Sequence, residues 1–290
     1  MQVLILGAGY SGKAIAKELL PQASRITGTT RSPEKLDALK GLGIEAQLYD
    51  GQTISPELTA AMGTATHLVQ SIAPGREGDP VLRLGFARMR ELMPALEWVG
   101  YLSTVGVYGD HKGGWVDERA ECRPVSARSR ERVEAEDGWL AFGAAAGVPV
   151  AVLRLAGIYG PGRNTFRNLA EGTAKRLIKP DQVFNRIRVE DIAGATAFLI
   201  GKRADGIFNI ADNEPAPPQD LVTLAAEMMG MAPPPEVAFD DAELTPMARS
   251  FYGENKRVSN AKLRGAGYTM HFADYRASLS DLWQRDIWRG

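Results

Sequence analysis

Short apolar, β-branched runs recur through the first two thirds of the chain, each followed by a stretch whose apolar positions return at helical spacing. The runs fall at Gln2–Leu6, Arg25–Thr30, Glu45–Tyr49, His67–Ser71, Trp98–Ser103 and Val150–Leu155. Near-continuous apolar strands separated by helices predict a parallel sheet covered on both faces. The helices are expected at Gly12–Leu20, Pro33–Lys40, Pro56–Met62, Asp79–Leu96 and Ala127–Ala146, the last following a Pro124–Ser126 stop-and-cap signal. After Gly160-Pro161-Gly162 the rhythm changes to a helix near Thr165–Lys175, a loop through Pro180, a helix at Val189–Ile200 and a short strand at Ile207–Ile210. From Asn213 on, "NEPAPPQD" and "MAPPPE" punctuate the chain and the alternation does not return.

The pattern gives an α/β fold of doubly wound type, with a smaller, partly discontinuous C-terminal α/β substrate domain. The expected boundaries are 1–162 plus 187–212 for the first domain and 163–186 plus 213–290 for the second. A chain of 290 residues is long enough to bury such a core. Its 34 Lys and Arg nearly balance 35 Asp and Glu, so no strong field draws nucleic acid or an anionic membrane, and the expected partner is a small molecule. Cys122 stands alone, which excludes an internal disulfide, and His67, His111 and His271 are too scattered for a metal site. With no leader pattern and no apolar run of membrane-spanning length, a cytoplasmic location is expected.

Chemistry enters at the first turn. Gly7, Gly9 and Gly12 stand at G-x-G-x-x-G spacing directly after the first strand and at the start of a helix, the context of a Rossmann-type dinucleotide loop. Gly7 makes the turn, Gly9 admits the pyrophosphate and Gly12 allows close helix packing. The acidic residue that an NAD site carries about 20 residues on is replaced by "TGTTRSPEK". Thr30, Arg31 and Ser32 there favour the 2′-phosphate of NADP, with NAD the alternative cofactor. Asp50, just past the third strand, is a candidate for the adenine amino group and equally a plain turn residue.

Several segments resemble the extended short-chain dehydrogenase/reductase superfamily of nucleotide-sugar epimerases and dehydratases, and its atypical branch most closely. They are "GAGYSG", "YLSTVGVYGD" with "GGWVDE", "LRLAGIYGPGR", "NRIRVEDIAGA" and "FNIADNEP", in family order over nearly the whole chain. The resemblance implies an NADP-dependent oxidoreductase or epimerase-like enzyme acting on a hydroxyl/carbonyl centre of a small, anionic or sugar-like substrate. It extends the cofactor surface to Tyr10, Ser11, Ser71, Ile72, Ala73, Leu102, Ser103 and Arg132, and to Leu155, Ala156, Gly157 and Ile158. Ser103 and Thr104 match the substrate-polarising hydroxyl position.

The family's Tyr-x-x-x-Lys pair is missing: "PVSARSRERVEAE" places Arg128 at the Tyr position and Arg132 at the Lys position. An arginine neither gives nor takes a proton near neutral pH. Arg132 keeps a positive charge for the nicotinamide ribose, and Arg128 suits an anionic or carbonyl substrate. Tyr108 is the replacement acid/base or a substrate contact, with His111 ranked behind it. Arg163, Asn164, Phe166 and Arg186 match substrate-loop positions, and Arg188, Arg249, Lys256 and Arg257 extend them into a cationic set. Loss of the pair also supports a second reading, a catalytically inactive dinucleotide-binding redox sensor or scaffold. Homodimers are common in the superfamily, and no helix face decides for or against one.

Overall fold

The computed structural model describes residues 1–290, the Met247 side chain excepted. Its first stretch runs β1 (Gln2–Leu6), α1 (Tyr10–Leu19), β2 (Arg25–Thr30), α2 (Leu36–Lys40), β3 (Glu45–Leu48), α3 (Pro56–Thr64), β4 (His67–Gln70), α4 (Phe86–Leu92) and β5 (Trp98–Thr104). Then come β6 (Trp115–Val116), α5 (Ala127–Ala146), β7 (Val150–Leu155), β8 (Gly157–Tyr159), α6 (Thr165–Ala170), β9 (Arg176–Ile178), β10 (Arg186–Arg188), α7 (Val189–Gly201) and β11 (Gly206–Ile210). The chain closes with α8 (Pro218–Met228), β12 (Glu236–Ala238), α9 (Pro246–Phe251), β13 (Arg257–Val258), α10 (Ala261–Gly265) and α11 (Tyr275–Gln284).

Seven strands form one sheet in the order β11-β7-β5-β4-β1-β2-β3, which reverses direction of growth at β1. The doubly wound parallel α/β fold read from the hydrophobic pattern is therefore the observed one. The core strands β4, β5 and β7 are buried almost throughout, as two covered faces require. The chain divides into two compact units: Met1–Val107, Pro124–Leu155 and Ile192–Phe208 form the first, and Tyr108–Arg123, Ala156–Asp191 and Asn209–Gly290 the second. The first unit's core packs Leu4, Leu68, Val99 and Val152 with Trp139 and Phe142 of α5. A separate core in the second packs Phe166, Ala225, Leu279 and Trp288.

Three expected helices are shorter than their patterns, the one at Pro33–Lys40 because a 3-10 turn over Pro33–Lys35 precedes α2. Over 79–96 a 3-10 turn at Leu82–Leu84 precedes α4, because Gly85 sits at φ +79° and interrupts the helical path, and Pro94 closes the far end. The helix expected to reach Lys175 ends at Ala170, with Gly172 at φ +68° just beyond it. The stop-and-cap signal before α5 is borne out, as the Ser126 side chain accepts from the Ser129 N–H. Among the described residues no helix is long and apolar enough to cross a membrane, and no group of three His, Cys, Asp or Glu could hold a metal ion.

Candidate cofactor and substrate sites

Strand β1 delivers the chain into a turn that only glycine accommodates at its first position. Gly7 has φ +88°, and a Cβ there would come within 3.1 Å of the Ile72 nitrogen. At Gly12 a Cβ would lie 2.9 Å from the Gly7 carbonyl oxygen, so its absence sets how closely α1 packs on the turn. Gly9 differs: a Cβ there would meet nothing nearer than the Gly7 oxygen at 4.0 Å, and its backbone is bare on the open side. The turn is pinned to β2, with the Gly7 N–H donating to Thr29 Oγ1 (2.9 Å) and the Ala8 N–H to the Thr29 carbonyl (2.7 Å). Helix α1 begins with no side-chain cap and no acidic residue in its first turn. The positive end of the helix dipole, with no side-chain cap over it and next to an open glycine, fits a dinucleotide pyrophosphate.

At the end of β2, Thr30 Oγ1 accepts from the Ser32 N–H (3.2 Å), which fixes the loop carrying Arg31. Arg31 is exposed, and no carboxylate pairs with it among the described residues. Asp50 is spent on its own turn, accepting from the Gln52 and Thr53 N–H groups (2.9 and 3.2 Å), which hold its carboxyl below the usual range. Past β4, the Ser71 N–H donates to the Leu6 carbonyl (2.9 Å), Ile72 abuts Gly7, and Ala73 is exposed.

The carboxyl end of β5 separates two adjacent hydroxyls. Ser103, 3% exposed, donates to the Glu136 carboxylate, which also takes three hydrogen bonds from Arg154 at 2.6 to 3.2 Å. A serine has one hydrogen to give, and this one is committed. Thr104 is half-buried and its Oγ1 accepts from the Gly106 N–H (3.1 Å), leaving its hydrogen for another partner. Of the two, Ser103 spends its hydrogen on Glu136 and Thr104 does not. On α5, Arg132 donates to the Leu102 carbonyl, while Arg128, one turn earlier, is exposed.

In the second unit β8, α6 and β10 surround a cavity of about 430 Å³. Arg163, Asn164 and Arg186 come together on its wall with Gly157 and Ile158, while Leu155 and Ala156 are buried at 5% exposure. Phe166 does not reach this wall. It is fully buried, stacked on Trp283 with ring centroids 5.2 Å apart, and belongs to the core, which corrects its expected substrate role. The wider cationic set does not converge either, because each remaining member has a local partner. Arg188 pairs with Glu190 and Asp281, and Lys256 with Glu254. Arg249 lies over the Phe239 ring and donates to the Ala242 carbonyl, and Arg257 donates to the Gly113 carbonyl.

Tyr108 is fully buried and directs its hydroxyl hydrogen at Asn209 Oδ1 (2.7 Å). His111 places a ring nitrogen 3.1 Å from the Tyr108 carbonyl oxygen. Both serve the interior of the second unit.

With this geometry in view, comparison with known proteins is informative. The model of the NAD dependent epimerase/dehydratase family matches residues 3–211. The chain belongs to that family. Among relatives of this epimerase/dehydratase chain, Protein YeeZ of Escherichia coli K12 is 30% identical over 249 residues, 80% of this chain and 85% of its own. A conserved protein of unknown function from Silicibacter pomeroyi DSS shares 44% identity and superposes with a TM-score of 0.88, covering 98% of this chain and 99% of that one. The dTDP-glucose 4,6-dehydratase of Bacillus anthracis, solved with NAD, shares the fold at 19% identity and a TM-score of 0.77, covering 99% and 96%.

Residues that the sequence reading passed over complete the picture. Arg154 interrupts the apolar run of β7 and Glu136 sits on the buried face of α5; a charge inside a covered strand requires such a partner. Asp212, 2% exposed, follows the apolar end of β11, and burial pushes its carboxyl up to about 7.

Proposed function

We propose that this family member is an NADP-dependent oxidoreductase or epimerase-like enzyme acting on a hydroxyl/carbonyl centre of a small-molecule substrate. The observation that carries the reading is the pairing, within the first unit, of an open glycine turn on β1 with a hydroxyl at the end of β5 whose hydrogen is unspent. Gly7, Gly9 and Gly12 with the first turn of α1 would hold the pyrophosphate. Arg31, lacking a carboxylate partner, with Thr30 and Ser32 would take the 2′-phosphate. A nicotinamide, when bound, supplies hydride transfer.

Thr104 is the residue assigned to the substrate oxygen. Accepting from the Gly106 N–H polarises its hydroxyl and strengthens it as a donor to a carbonyl or a developing alkoxide. Ser103 acts one step removed, its orientation fixed by Glu136. Arg132, tied to the Leu102 carbonyl, would supply positive charge beside the nicotinamide ribose. Water is then the proton carrier, since Tyr108 spends its hydrogen on Asn209.

A redox sensor or scaffold is the second reading, favoured by Arg128 and Arg132 standing where the family carries its Tyr and Lys. Titration with NADPH and NADH, read by nicotinamide fluorescence, tests the cofactor assignment: Arg31→Ala should weaken NADPH by about tenfold or more and leave NADH unchanged. A carbonyl-substrate screen separates enzyme from sensor. Turnover that falls about 10²-fold in Thr104→Val supports the enzyme; differential affinity for the two redox forms without turnover of any carbonyl supports the sensor.

A further inference from the structure

Beneath the face of α5 that carries Arg132, strand β5 buries a hydroxyl that nothing holds. Tyr101 is 0% exposed, and its hydroxyl oxygen has no hydrogen-bond partner among the described residues. Its ring stacks on Trp139, with centroids 6.3 Å apart and planes inclined by 23°. Trp139 stands about two turns after Arg132 on α5, so the two share the helix face turned toward β5. A buried hydroxyl without a partner is costly, and phenylalanine would fill the same space without that cost.

Three charges act on this phenol: Arg132 most strongly, then Asp79 and Glu136. Both carboxylates are occupied elsewhere. Asp79 accepts from Gln70, from Trp139 and from the Val81 and Leu82 N–H groups, and Glu136 is held by Arg154 and Ser103. Arg132 differs. Its Nη1 donates to the carbonyl of Leu102, the residue after Tyr101, and it pairs with no carboxylate among the described residues. A guanidinium carries several N–H donors in a planar fork, so one carbonyl leaves most of them for other acceptors. Burial pushes the phenol up from its ordinary range, so it keeps its hydrogen near neutral pH and is not the missing proton carrier. What it offers is an acceptor.

We propose that Tyr101 is the positioning residue for Arg132: its hydroxyl oxygen, together with the Leu102 carbonyl, seats the buried side of the guanidinium and leaves the outer edge for the hydroxyls of a nicotinamide ribose. Two acceptors fix the plane of a fork that one acceptor leaves free to turn, so less is lost when the ribose is bound. The proposal rests on the dinucleotide reading given above. Tyr101 touches neither cofactor nor substrate and acts only through Arg132.

The test is a double-substitution cycle on the full chain, with Tyr101→Phe, Arg132→Gln and the two combined. NADPH and NADH are titrated by nicotinamide fluorescence, and adenosine 2′,5′-bisphosphate, which has the adenine end and no nicotinamide, by calorimetry. Tyr101→Phe should weaken both nicotinamide nucleotides about fivefold where Arg132 is present, should have no effect where Arg132 is already replaced, and should leave the bisphosphate affinity unchanged. An unchanged NADPH affinity in Tyr101→Phe overturns the proposal. So does an equal loss in both backgrounds, or a loss that extends to the bisphosphate, either of which marks Tyr101 as a packing residue of the first unit. If the combined variant does not fold, Tyr101→Phe alone decides by its contrast between NADPH and the bisphosphate. A wild-type chain that binds neither nicotinamide nucleotide overturns the dinucleotide reading and this proposal together, whereas binding with independent losses overturns this proposal alone.

Discussion

Two arginines on buried strands, one in each unit, show opposite uses of the same side chain. Arg154 on β7 is 4% exposed and shares three hydrogen bonds with Glu136. Arg186 on β10 is 9% exposed and has only main-chain carbonyls. In the first the charge is paired directly with a carboxylate and fixes α5 to β7; in the second only main-chain carbonyls take its hydrogen bonds, and Asp212 attracts it without an ion pair. Burial alone therefore does not say whether an arginine has a carboxylate bonded to it.

Breaking the first arrangement should have the largest effect. Glu136→Ala leaves the Arg154 charge buried and removes the acceptor of Ser103, and should cost about 3–5 kcal/mol in denaturant unfolding. A loss below about 1 kcal/mol would remove the contrast between the two arginines.

Asp212 comes next, with a sign that depends on pH. Its folded pKa is raised to about 7, so between about pH 4 and 7 the folded chain keeps a proton that the unfolded chain has lost, and stability falls as pH rises through that window. Above it both states are ionised and the full cost, up to about 4 kcal/mol, is present. Asp212→Asn should accordingly be more stable than wild type near pH 8 and lose most of that advantage near about pH 4; parallel unfolding curves at the two pH values check it.

The smallest effect belongs to Arg186 itself. Arg186→Gln loses two bonds to carbonyls but strands no counter-ion, and its stability should change by about 1–2 kcal/mol or less, well under Glu136→Ala. A loss as large as that of the Glu136 variant would show Arg186 to be a scaffold residue too.

Much of this molecule is legible in its sequence, and the parts that are not share a cause. Covered parallel strands declare themselves as apolar runs, and the glycine turn by its spacing and its place after β1, because both are local properties of the backbone. Which hydroxyl at the end of β5 can donate is not local: it depends on Glu136, 33 residues away from Ser103. The cationic set failed for the same reason, since Arg188 meets Asp281 and Arg257 meets Gly113 across 93 and 144 residues. Phe166 reads as a loop aromatic until Trp283 and Trp288 close over it from the far end of the chain. Types and spacings say where charge is carried; only the folded chain says which charges are already satisfied.

The uncapped start of α1 also bears on how long the molecule survives. A helix end that no side chain caps opens more readily than a capped one, and a ligand that binds only the folded chain lowers the open population by mass action. At about 100 times its dissociation constant such a ligand adds roughly 2.7 kcal/mol, enough to change the fraction available to proteases about a hundredfold. The abundance of this protein would then follow the size of the cell's dinucleotide pool, even where its rate of synthesis does not change.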